Sequence, residues 1–102
     1  MVFEILVGLN VINEERYAAY RAAMKPLLHE YGGDFGYDFR VSEVLRSETD
    51  TDINRVFTLH FPDEDAQKAF FSDSNYLAVK KEFFDSSVGA ATRLAQYQRQ
   101  PS

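Results

Sequence analysis

The run RVFTLHF carries the residue best suited to chemistry. In it, His60 shares the parity of Val56 and Thr58, opposite to that of Phe57, Leu59 and Phe61. Imidazole titrates near neutrality and can accept or return a proton there. If the three large apolar residues pack beneath helices, His60 and Thr58 look out from the other face of the sheet. Two readings of His60 stay open: a general base or hydrogen-bond partner for a substrate, and a hydrogen-bonded, partly buried histidine between subunits. Arg40, Asp38 and Ser42 share one parity of DFGYDFRVS, and Glu4 and Asn10 share the less apolar parity of the first apolar run. With both parities on the side of His60, the residues Thr58, Arg40, Asp38 and Asn10 would bind substrate around a catalytic His60, as a few convergent polar groups in an apolar setting. On an edge strand, Asp38 and Arg40 suit solvent, or a pair across a dimer, equally well.

Other chemistry finds little support. His29 lies opposite the apolar stripe of its helix, near the negative end of the helix dipole, and reads as solvated. With no HxH or HxxxH pair, no metal site is expected. Glu48, Asp50 and Asp52 have carboxylate spacing but lack the glycine and terminal glutamate of a calcium loop. The absence of cysteine excludes thiolate nucleophiles, sulfur-ligated metals and disulfides. No nucleotide loop, nucleophile elbow or zinc-protease motif occurs, and no cofactor is expected.

The elements that position these residues follow from periodicity. Residues 2 to 9 are apolar on both alternating faces, as in a central strand covered on two sides. Asn13 caps a helix whose Tyr17, Tyr20, Met24, Leu27, Leu28 and Tyr31 recur at three- and four-residue spacing, with Pro26 inside it and Gly32 and Gly33 at its end. Alternation predicts a second strand over 34–45, a hairpin loop over 46–54 and a third strand over 55–61. Pro62 and Asp63 open a second helix, which bends near residues 72–74 and resumes with Ser74 as cap and Tyr76, Leu77, Val79, Phe83 and Phe84 as its apolar face. A weakly alternating final strand covers 91–98. Residues 1–98 form one domain and 99–102 a polar tail. Tyr17, Tyr20 and Tyr31 read as core residues with their hydroxyls at the rim.

The order strand, helix, strand, strand, helix, strand is the split βαβ, or ferredoxin-like, arrangement: an α+β fold with a four-stranded antiparallel sheet and both helices on one face. The other face also wants cover, since the first strand is apolar on both parities. A second copy of the chain, sheet facing sheet, supplies it.

With 102 residues, the chain holds a single core, rich in aromatics with nine Phe and six Tyr but no Trp. Sixteen acidic against eleven basic residues leave a net charge of −5, a poor match to phosphate backbones or anionic lipid. Neither nucleic acid nor a membrane is expected as a partner. The first apolar run has no basic leader or cleavage site, and no window is long enough to span a bilayer, so a soluble, cytoplasmic protein is expected.

The segments YRAAMKPLLHEYGGDF, HFPDEDAQKAF and SNYLAVKKEF, with Pro26, Tyr31, Gly32, Gly33, Phe61, Pro62 and Tyr76, together resemble the domain of unknown function family 1330 of the dimeric α+β barrel superfamily. The resemblance covers nearly the whole chain and implies ferredoxin-like subunits pairing into a closed barrel. It carries over no catalytic residues, because the family has no agreed activity. His60 stands where such relatives often show Glu, and FRVSEV around Arg40 replaces an arginine-glycine-glycine segment. The wider superfamily includes cofactor-free monooxygenases, isomerases, haem-handling enzymes and binding modules, so the fold leaves the reaction open. Two functions fit these features: a homodimer that binds a small organic molecule in its barrel, as a binding protein or a cofactor-independent monooxygenase- or isomerase-like enzyme, and a non-catalytic assembly or regulatory domain with a filled barrel.

Overall fold

Strand β1 (Val2–Val11) occupies the middle of the sheet because both of its faces are apolar enough to be covered. In the computed structural model, which describes residues 1–100, it lies between β3 (Arg55–Phe61) and β4 (Val88–Arg99), with β2 (Asp34–Arg40) outside β3. All pairings are antiparallel, in the order β2-β3-β1-β4. Helix α1 (Glu14–Glu30) connects β1 to β2, and α2 (Glu64–Ser72) follows β3. After α2 come α3 (Ser74–Val79), a π-helical turn at Lys80–Phe84 and a last helical turn at Asp85–Ser87. This is the expected ferredoxin-like α+β fold.

The core forms where the helices meet β1 and β3. Ile5, Leu9 and Val11 of β1 and Phe57, Leu59 and Phe61 of β3 are buried with Tyr17, Tyr20, Met24 and Leu28, the three- and four-residue stripe of α1. Each such side chain contributes roughly 1.5–3 kcal/mol when fully buried. Asn13 caps α1 as expected, its side chain accepting from Arg16 N at 3.0 Å. The cap of α3 is Asp73, not Ser74: its Oδ1 accepts from Asn75 N at 2.7 Å and Tyr76 N at 3.2 Å, and Tyr31 Oη donates to its other oxygen at 2.5 Å. The same residue ends α2, since Asp73 has extended dihedrals that no helix continues through.

Bulges account for the remaining differences from the sequence pattern. Between Phe35, opposite Leu59, and Asp38, opposite Phe57, both Gly36 and Tyr37 face Thr58 alone. Tyr37 N donates to the Thr58 hydroxyl at 2.8 Å, which satisfies the amide that the ladder leaves out. A Cβ on residue 36 would collide with that hydroxyl, so the bulge needs its glycine. In β4 the register jumps from Arg93 opposite Val7 to Ala95 opposite Leu6, and the extra residue, Leu94, explains the weak alternation of this segment. β2 stops at Arg40 instead of reaching residue 45, because from Val41 onward the chain enters the polar loop. β4 starts at Val88 and includes Arg99, which was expected in the tail; Pro101 and Ser102 of that tail lie outside the described residues.

Gly32 has φ 74°, a left-handed conformation that closes α1 with Gly33 N bonded to Leu28 O at 3.0 Å. A Cβ there would also sit 2.8 Å from the Pro62 ring. Gly32→Val is expected to lower stability by about 1 kcal/mol or more, combining left-handed strain with that clash. An unchanged midpoint in urea titration would show that this turn does not constrain the fold.

Candidate functional site

The helices bury one face of β1 and β3 but leave the same face of β4 open: Ala91, Arg93, Gln96 and Gln98 are all exposed. Between this uncovered strand and the helices lies a cleft of about 460 Å³. That is within the range of about 300–1,000 Å³ for small-molecule sites. Its floor is Ile5, Val7, Leu9, Phe57 and Leu59; α1 contributes Tyr20, Arg21 and Met24, and the segment from α3 through the π-turn contributes Tyr76, Leu77, Lys80 and Phe84. A π-turn inserts one residue per turn and often marks a functional position. Here it places both Lys80 and Phe84 on the cleft.

Two buried phenols meet at the cleft wall. Tyr20 Oη and Tyr76 Oη are 2.9 Å apart, and burial, foremost, pushes both hydroxyls above the ordinary phenol range. They therefore stay protonated. Two hydroxyls carry two donor protons, and the single hydrogen bond between them uses one. Among the described residues the other finds no acceptor.

Arg21 is held from several sides. Its Nε donates to Tyr17 Oη at 2.7 Å, its terminal nitrogens lie 3.3 and 3.4 Å from the Asp38 carboxylate, and its guanidinium rests 4.0 Å from the Phe35 ring centroid and 4.6 Å from that of Phe57. Stacking of this kind is worth about 0.5–2 kcal/mol. Arg55 donates to both oxygens of Asp38 at 2.8 and 2.9 Å, and these bonds, chiefly, hold the Asp38 carboxyl below its usual range.

None of His60, Thr58, Arg40, Asp38 and Asn10 lines this cleft. Strand parity does put His60 and Thr58 on the face away from the helices, as expected, and His60 stands opposite Glu4. Glu4 accepts from Tyr97 Oη and, at 2.8 Å, from Arg99 Nε; burial pushes its carboxyl up, but these bonds outweigh burial and leave it lowered. Asn10 lies six positions along β1 from Glu4, about 20 Å away at strand spacing, and binds Asn54 instead. The expected common face for Asp38, Arg40 and His60 is corrected: the bulge at Gly36 and Tyr37 turns Asp38 and Arg40 to the helix side, where Arg40 reaches Glu14 at 3.9 Å. His29 stays half exposed, 3.3 Å from Asp34. The five expected residues thus divide between two faces and do not form one site.

Sequence reasoning missed Arg21, Lys80 and Arg93 altogether, whereas Tyr20, read as a core residue, and Tyr76, read on a helix's apolar face, are both buried. The (i, i+4) spacing of Tyr17 and Arg21 on α1 was the one signal present.

The family described as "Domain of unknown function (DUF1330)" matches residues 5–96. The chain belongs to that family. No curated protein matches the sequence. Among solved structures, this DUF1330 chain is similar to a protein of unknown function from Rhodopseudomonas palustris, with TM-score 0.80, 19% identity, and coverage of 99% of this chain and 84% of that one. It is also similar to a dabb family protein with a ferredoxin-like fold from Mesorhizobium loti, with TM-score 0.68, 13% identity and 98% coverage of each chain. SnoaB, a cofactor-independent oxygenase from Streptomyces nogalater, matches with TM-score 0.60, 12% identity, and coverage of 99% of this chain and 93% of that one. At these identities the likeness establishes the fold of the DUF1330 chain. No described helix is long and apolar enough to cross a membrane.

The paired carboxylates set an acid dependence. Glu4, Asp38 and Asp73 all titrate below their ordinary values of 4.5, 3.8 and 3.8 when folded. Their contribution is therefore complete above the unfolded values and is lost as pH falls through the folded ones. Melting temperature is expected to change little from neutrality down to about pH 5 and to fall below that. Asp38→Asn should lower it at pH 7 and flatten the acid limb; an unchanged limb would show that Asp38 does not carry this dependence.

Proposed function

We propose that this protein binds a small, mainly apolar organic molecule in the cleft beneath its helices, and that it does so as a homodimer paired through the open sheet face. The observation that carries the first part is the cleft itself: aromatic and aliphatic side chains line a ligand-sized space, with the hydrogen-bonded pair Tyr20 and Tyr76 in its wall. The lining contains neither imidazole nor carboxylate, so binding and orientation are what its own side chains supply. The likeness to a cofactor-independent oxygenase is one of fold and adds no reacting residue to this site.

The dimer rests on the other face. Tyr37 and Phe39 are 69% and 55% exposed and stack at 5.7 Å, and Leu94 and Tyr97 are also exposed on this side. Such a patch calls for cover, and a second copy presents the same patch in return. His60 then belongs to the paired face as a hydrogen-bonding interface residue, beside Glu4, Tyr97 and Arg99. A further hollow of about 680 Å³ on this face lies under the exposed loop between β2 and β3 and is lined by Val44, Leu45 and Leu94.

Light scattering is expected to give a dimer at micromolar concentration, with an interface above roughly 1,600 Å² in total. Phe39→Asp combined with Leu94→Asp should give a monomer. A monomeric parent protein would defeat this assembly. The cleft is tested separately by Ala91→Trp, a substitution on its exposed sheet wall. Binding of 2-naphthamide is expected in the parent and should weaken at least about tenfold in the variant, while melting temperature holds. Equal binding by both proteins would place the ligand elsewhere.

A further inference from the structure

The cleft has a charge as well as a shape. Arg21, Lys80 and Arg93 line it, and no Asp or Glu does, although the chain as a whole carries −5. These cations are not equally committed. Arg21 is held by Asp38 and Tyr17 and pressed on Phe35 and Phe57, so it has little left to offer a ligand. Lys80 is 3.3 Å from one oxygen of Asp85, with its side chain 43% exposed and further donors unused. Arg93 has no carboxylate partner among the described residues. It donates to the neutral Gln96 Oε1 at 2.8 Å, and its guanidinium lies 5.6 Å from the Phe71 ring centroid. A guanidinium braced against a ring, with a planar fork still open, is built for two parallel bonds to a carboxylate.

The geometry points to an anionic ligand: we propose that the cleft selects an aromatic or alicyclic carboxylate, with its carboxylate on Arg93 and Lys80 and its apolar body toward Leu59, Met24 and Phe84. This rests on the binding reading above and names its ligand class. The apolar depth and cationic lining favour a molecule with one apolar and one charged end. A neutral molecule of the same shape would leave Arg93 without an ionic partner. An organic cation would face Lys80 and Arg93 with no carboxylate in the cleft lining. Arg93 lies on the one strand whose inner face the helices leave open, so its charge stays hydrated until a ligand arrives and costs the fold little.

The test compares 2-naphthoate with 2-naphthamide, which match in shape and differ in charge. Calorimetric titration of the whole chain is expected to give naphthoate an affinity at least about tenfold higher at low ionic strength, with the margin shrinking in 0.5 M NaCl. In the double variant Arg93→Gln, Lys80→Gln naphthoate should lose at least about fivefold more affinity than naphthamide, which brings the preference to within about twofold, and an unshifted melting curve reports that the variant is folded. Equal affinities in the parent, with naphthamide bound, would overturn the anion selectivity and leave the cleft reading standing. A preference that survives the double variant would likewise overturn it. If neither probe binds the parent, both the selectivity and the cleft fall.

Discussion

The uneven cover of the sheet governs most of what else this chain does. The helical layer packs on β3 and β1, where Phe57, Leu59, Phe61, Ile5, Leu9 and Val11 are all buried, and it ends before β4. A layer that covered all four strands would leave a solid core. Because it stops short, the uncovered inner face of β4 becomes one wall of a cleft, and the helices become the other. The broken second helix matters here: Asp73 ends one segment and caps the next, and the π-turn that follows delivers Lys80 and Phe84 to the same space. One carboxylate therefore sets the course of chain that places Tyr76, with Tyr31 Oη fixing it from α1's end.

Strict alternation was legible in the sequence, and its interruptions were not. β3 alternates without a break, so the faces of Phe57 and His60 follow from their parity alone. β2 looks equally regular from Phe35 to Val41, yet Phe35 packs inside while Phe39 stacks on Tyr37 outside. One bulge reversed every assignment beyond it. The available signal was Gly36, since an isolated glycine in a strand often marks a bulge. Likewise Leu94 shifts the phase of β4, which is why Arg93 could not be assigned to a face. The residues around the cleft come from β1, α1, the π-turn and β4, far apart in sequence, and no local pattern announces that they converge. Gly32 was readable because its requirement is local.

Two paired carboxylates, buried Glu4 and the partly exposed Asp38, follow one rule. Removing a carboxylate from water is costly unless donors replace the solvent, and breaking such a pair costs more than forming it gains. Glu4, 6% exposed, receives Tyr97 and Arg99 from β4. Asp38 receives both Arg55 and Arg21. Each carboxylate joins different elements, β1 to the end of β4 and β2 to α1, so these pairs fix register and helix placement more than they add net stability. Arg21 gains a further constraint from the rings beneath it, and so presents a rigid, already neutralised side to the cleft.

The open face and the cleft lie on opposite sides of one sheet, and a line of contacts beginning at Thr58 runs between them. Thr58 points to the open face, where its hydroxyl accepts from Tyr37 N and holds the bulge in β2. The bulge turns Asp38 through to the helix side. There Asp38 braces Arg21, which in turn lies over Phe35 and Phe57 in the lining of the cleft. Without that hydroxyl, the Tyr37 amide would lose its partner in a partly buried position, and a bulge-free register would move Asp38 to the wrong face. Arg21 would then lose its counter-charge beside an apolar pocket. Thr58, Tyr37, Asp38 and Arg21 thus form one contiguous line of contacts from the open face to the cleft.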